Sequence, residues 1–212
     1  MKIETPRLSP PSLVDLADAP ARPRAGADGE RWHGADFTGL SLSTVTYCEV
    51  ELSATVMDQT TLTACRFIDV RLVDSDILSI SAPHSTWRDC EVVGGRIGVA
   101  SLTDATLSSV VFTGLRIGYL SLRGSKVTDI EFRACVIDEL DLGSAEVQRA
   151  SFPRTRIGEL HLHEVRLKHV DLRQAEVSLV VSPGGLRGAV ITGEQLRDLA
   201  PVLAAEIGIV VD

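Results

Sequence analysis

The stretch Glu159-Leu160-His161-Leu162-His163-Glu164 is the densest run of metal-capable side chains in the sequence. Residues two apart on a strand point the same way, so His161 and His163, flanked by Glu159 and Glu164, could chelate a borderline metal such as zinc. No closed four-ligand set is spaced around them, and solvated surface histidines account for the motif, so neither a metal nor a cofactor is expected. Cys48, Cys65, Cys90 and Cys135 form no CxxC and are too few for a disulfide framework in 212 residues, which makes free thiols the expectation. The spacings G-x-S-x-G, G-x-G-x-x-G and the Walker loop are all missing, and Gly94-Gly95 and Gly184-Gly185 sit in ordinary turn contexts. Catalysis needs convergent groups around a concavity, and the sequence offers no such set. It reads as a non-enzyme.

The elements that would position these residues come from the composition and, above all, from the period. With 44% apolar residues the chain can bury a full core. No run approaches 18 uncharged apolar residues, and MKIETPRL lacks a signal-peptide core, so neither membrane insertion nor export is expected and a cytoplasmic location follows by default. A formal net charge of −8 disfavours direct nucleic-acid binding and favours basic partners.

Arg-Ile-Gly at 96–98 returns at 116–118 and at 156–158. Inside this twenty-residue repeat lies a finer one: every fifth position from Phe37 to Val177 is apolar, 29 in 29, and all five phenylalanines fall in that column. At this composition, chance gives such a run with probability on the order of 10⁻¹⁰. The position two residues earlier, from Ala35 to Ala175, holds only small or aliphatic residues. A period of five smears around a helix and alternates faces on a strand, so the chain must turn every five residues. Four short extended sides per circuit give a square all-β solenoid of about seven coils. One bulky aromatic fits in most coils, on the third side early (Tyr47, Phe67, Trp87) and on the fourth side later (Phe112, Phe132, Phe152).

Stretches such as ADFTG (35–39) and VDLRQ (170–174) carry the consensus A-(D/N)-L-x-x, and residues 35–177 resemble the pentapeptide-repeat proteins. The resemblance implies a right-handed quadrilateral β-helix whose terminal segments cap the coil and mediate dimers. It also implies, as the most specific partner, DNA gyrase, which members of that family protect or inhibit by imitating the shape and charge of duplex DNA, as in fluoroquinolone resistance. The alternative is an interaction scaffold for an unrelated protein.

Three segments are expected: an N-terminal arm at 1–31, partly flexible; the repeat at 32–181; and a last partial coil with a helix and a brief extended end (208–211) at 182–212. Five of the nine prolines lie in the arm. Thr192 with Gln195 forms a T-x-x-Q capping box. Leu196, Leu199, Leu203 and Ile207 follow on one apolar face, which either seals the last coil or forms a homodimer. Pro201 predicts a kink or two short helices.

Counting in twenties assigns outward residues to sides. The first side, built on Phe37, Met57, Ile77, Ile97, Ile117, Ile137 and Ile157, bears Asp36, Asp58, Asp76, Asp138, Glu139, Glu159 and Glu176 against Arg96, Arg116 and Arg156, a net −4. It also carries outward Leu78, Val99 and Tyr119. This is the candidate partner-binding face, unless the N-terminal arm covers it.

Overall fold

A chain that turns every five residues must lay each coil on the one before, and the strands do so at an offset of twenty. In the computed structural model, which describes residues 3–19 and 23–210, all strand pairs are parallel. Ile77, Ile97, Ile117, Ile137, Ile157 and Val177 stand in one column. The product is an all-β solenoid of about eight coils ending in one α-helix. Of the fifth-position residues from Phe37 on, only Leu42, Leu167 and Val177 are less than fully buried. The inward column also begins earlier than Phe37: Ala27–His33 is a strand in which Ala27 and Trp32 pair with Tyr47 and Leu52 and are buried, adding a coil.

The aromatics form two internal stacks, as expected. Tyr47, Phe67 and Trp87 stack at 5.5 and 4.0 Å, with Trp32 and Phe37 closing the end; Phe112, Phe132 and Phe152 stack at 4.7 and 5.3 Å. Where the stack changes sides, an apolar cavity of about 50 Å³ lies among Trp87, Val92, Ala100 and Phe112.

Most corners are turned by a left-handed residue, for example Glu49, Asp69, Asp89, Ser109, Asp129, Arg149 and His169 on the edge between the third and fourth sides. The first side differs. Gly98, Gly118 and Gly158 pass so close to the preceding coil that a Cβ would meet the carbonyl oxygen of Leu78, Gly98 or Asp138 at 2.5–2.6 Å. That close approach accounts for the recurring Arg-Ile-Gly.

The N-terminal arm runs along the edge between the third and fourth sides, held by its own backbone. The Arg7 amide donates to Asp129 Oδ1 (2.8 Å), the Ser9 amide to Ser109 Oγ (2.7 Å) and the Ser12 amide to Asp69 Oδ1 (3.2 Å). At the far end the Glu4 amide reaches His169 Nδ1 at 3.4 Å. Beneath the arm, Arg149 grips Asp129 through two hydrogen bonds of 2.6 and 2.8 Å. Ala17–Asp18 then pairs with Glu30 and Arg31 on the first coil.

At the other end the register slips by one residue, Val170 pairing with Ala189, after a 3₁₀ turn at Pro183–Leu186. A single helix, Gly193–Glu206, runs through Pro201 rather than splitting in two, and Thr192 and Gln195 make the reciprocal capping box. The extended end expected at 208–211 lies partly outside the described residues, and Gly208 makes a turn. Among the described residues no helix is long and apolar enough to cross a membrane.

Candidate protein-interaction face

Strand register arranges the first side in rows along the rod. One edge reads Asp36, Val56, Asp76, Arg96, Arg116, Val136, Arg156, Glu176. The opposite edge reads Ser79, Val99, Tyr119, Glu139, Glu159, Leu179. Of the eight residues expected to bind a partner, Asp36, Asp76, Val99, Tyr119 and Glu139 fall on this side by register, Leu78 and Asp138 stack against Gly98 and Gly158 between the two edges, and Asp58 reaches Ser79. The arm lies on the edge diagonally across the square section, and Leu78 and Val99 stay 61% and 45% exposed.

Apolar exposure extends further than the sequence count had it, because Val56 and Leu179 on the same side are also exposed. Both could have been found by the same twenty-residue arithmetic. Tyr119 is half-buried, with its hydroxyl donating to Asp141 Oδ2 at 3.4 Å. Between the rows, Gly98 and Gly118 floor a shallow groove of about 260 Å³ walled by Arg96, Arg116 and Asp138.

The electrostatics are more broken than a net −4 implies. Arg96 forms a bidentate pair with Asp76 at 2.6 and 2.7 Å, which holds that carboxyl below its ordinary range. Arg156 pairs with Glu176 at 3.1 Å. Asp36 is likewise held low, by hydrogen bonds from Thr38. Asp58 accepts from Ser79 Oγ at 2.7 Å. Negative charge is thus left at Asp36 and Asp58 near one end and at Asp138, Glu139 and Glu159 near the other. Arg96 and Arg116 divide the two, and Arg116 makes no ion pair among the described residues.

The metal-capable run is split by the fold. His161 turns to Glu159 and to Glu139 of the preceding coil, at 3.3 Å each, while His163 faces only Glu164, at 3.9 Å. Sequence spacing had grouped the two histidines and missed Glu139. Cys65, Cys90 and Cys135 are buried, and all four cysteines are free thiols.

On the last coil, Leu199 packs against the core and Leu203 is half-buried, whereas Leu196 and Ile207 are exposed. Gln195 Nε2 donates to the carbonyls of Leu172 and Ala175 at 2.7 and 2.9 Å, so the helix does cap the solenoid.

The five-residue repeat, the stacked coils and the loop-free sides together define a parallel β-solenoid. No protein-family model matches the chain, and no curated protein matches it. Among solved structures, a trypsin-treated variant of QnrB1, a plasmid-mediated fluoroquinolone resistance protein, aligns over 95% of this chain and 99% of that one at 16% identity, with a TM-score of 0.35. HetL, a pentapeptide repeat protein involved in heterocyst differentiation regulation from the cyanobacterium Nostoc sp., covers 76% of this chain and 89% of its own at 13% identity, with a TM-score of 0.26. At these values the likeness concerns the fold alone.

Proposed function

We propose that this protein is a non-catalytic binding rod that docks its first side against a protein partner. The observation that carries this reading is the exposed apolar set Val56, Leu78 and Val99 on a flat, loop-free face that the protein's own arm leaves open. Such a face suits a desolvated contact centre, with Asp58, Asp138 and Glu139 steering a basic partner from the rim. The most specific partner is DNA gyrase, with the rod standing in for duplex DNA. This choice rests on the repeat consensus and on a solid rod of about eight coils, close to 40 Å at ~4.8 Å per coil. A second reading, a scaffold for an unrelated protein of mixed charge, is favoured by Arg96 and Arg116, which interrupt the acidic row where a DNA mimic would keep it continuous. The proposal includes a homodimer through the C-terminal helix, whose Leu196, Val202 and Ile207 are exposed.

A gyrase supercoiling assay tests the first reading. Wild-type protein should inhibit supercoiling or protect the enzyme from a quinolone, Tyr119→Ala should weaken the effect through a faster off-rate, and Asp58→Lys with Asp138→Lys should slow association and flatten its salt dependence. Unchanged supercoiling and quinolone sensitivity over a wide concentration range would remove gyrase and leave the scaffold. Sedimentation as a monomer at high concentration would remove the homodimer.

A further inference from the structure

Charges stacked in the strand ladder are opposite in sign except at two places, where Arg96 stacks on Arg116 and Glu139 on Glu159. Six ion pairs set an acid against an arginine twenty residues away: Arg31 with Glu51, Arg71 with Glu91, Arg96 with Asp76, Arg149 with Asp129, Arg156 with Glu176 and Arg166 with Glu146. Among the described register pairs, Glu139 and Glu159 alone set acid on acid. Like charges directly opposite one another destabilise a sheet, so this step of the rod calls for a cation. No arginine or lysine supplies it, since the recorded ion pairs of both carboxylates go to His161 only.

We propose that Glu139, Glu159 and His161 bind a single divalent transition-metal cation of the zinc type. The donor atoms of the three residues lie within 4.8 Å of one another, and His161 Nε2 is 3.3 Å from Glu139 Oε1 and 3.3 Å from Glu159 Oε2. A tetrahedral ion with bonds of about 2.1 Å needs ligand atoms about 3.4 Å apart, which is the spacing of the imidazole nitrogen from each carboxylate, the two carboxylates lying within 4.8 Å of each other. One imidazole with two carboxylates suits a borderline ion better than calcium or magnesium, which take oxygen ligands alone. The carriers are rigid. Glu139 and Glu159 face each other across the ladder, and His161 sits two residues along the same strand as Glu159, opposite Asp141. Three protein ligands leave the fourth position to water or to a donor from another molecule.

The test is equilibrium dialysis and calorimetry with Zn²⁺ on the full chain carrying Cys48→Ser, which removes the one partly exposed thiol. One ion per chain should bind. Glu139→Gln and His161→Ala, both on outward positions, should each weaken binding by about 10-fold or more, while His163→Ala should leave it unchanged. Circular dichroism on each variant establishes that the rod is intact. Absence of stoichiometric binding, or an equal loss in His163→Ala, would overturn the proposal.

Discussion

Gln195 Nε2 lies 2.7 Å from the carbonyl oxygen of Leu172, so the residue that starts the helix also closes the last coil. Its Oε1 meanwhile accepts from the Thr192 amide at 2.8 Å. Gln195→Ala removes both functions at once, taking the side-chain donor from the Ala175 carbonyl and leaving the Leu172 carbonyl only its bond from the Ala175 amide. A loss of about 2 kcal/mol is expected, combining a capping term with unmade hydrogen bonds. Denaturant melts should show it, with faster amide exchange confined to residues 170–190.

Ala100 stands between Ile80 and Leu120 in the ladder and lines the 50 Å³ cavity. Ala100→Val should fill that space and stabilise the protein by about 1 kcal/mol at ~24 cal/mol per Å³. A lower melting temperature would mean that the cavity is not where the core is loose.

Leu122 is 1% exposed and cannot swing out of a stacked coil. Leu122→Asp should cost about 3–5 kcal/mol through an unpaired buried carboxylate. Thr128→Asp, on an outward row between Ser108 and Gln148, should stay within about 0.5 kcal/mol. Thermal unfolding of the two variants side by side checks the inward register.

Burial pushes the Cys90 thiol up to about 12 and raises Cys65 and Cys135 as well. Cys48, half-exposed, is raised by partial burial and by the acids Asp28, Glu49 and Asp69. A thiol-reactive dye at pH 8 should therefore label one site slowly in the native protein and four after unfolding. Fast labelling of a second thiol would contradict the packing.

Acid should release the arm before the rod. Burial raises the Asp129 carboxyl, but the Arg149 guanidinium and the Arg7 amide outweigh it and leave the net shift downward. A carboxyl whose folded value is depressed adds stability above its unfolded value, about 3.9, and loses it as the pH falls through the folded value. Protection of the Arg7 amide should thus disappear only below about pH 4, and in Asp129→Asn that acid step should be gone.

The repeat was legible because its signal is copied 29 times, so one register accounts for every inward residue from Phe37 to Val177. The coil before it was not. Glu30 occupies a position otherwise kept small, and its carboxylate is used by Trp32 Nε1 at 2.7 Å and by Arg24. The path of the arm left little trace either, since backbone amides make most of its hydrogen bonds and the Glu4 carboxylate meets Arg149 and His169 from far along the chain. Charge pairing at an offset of twenty, Asp76 with Arg96 and Glu176 with Arg156, emerges only once coils are stacked. This is why the first side counted as more uniformly acidic than it is.

The arm also orders events in time. It leaves the ribosome before the coils it contacts, so Glu4 waits for His169, 165 residues later, and Arg7 waits for Asp129, 122 residues later. At roughly 5–20 residues per second the longer wait lasts about 8–33 s. Coils can stack onto one another as they emerge, each needing only its neighbour. The arm alone spans them, so its docking marks a finished rod, and a chain stalled short of His169 keeps a loose, protease-accessible tail.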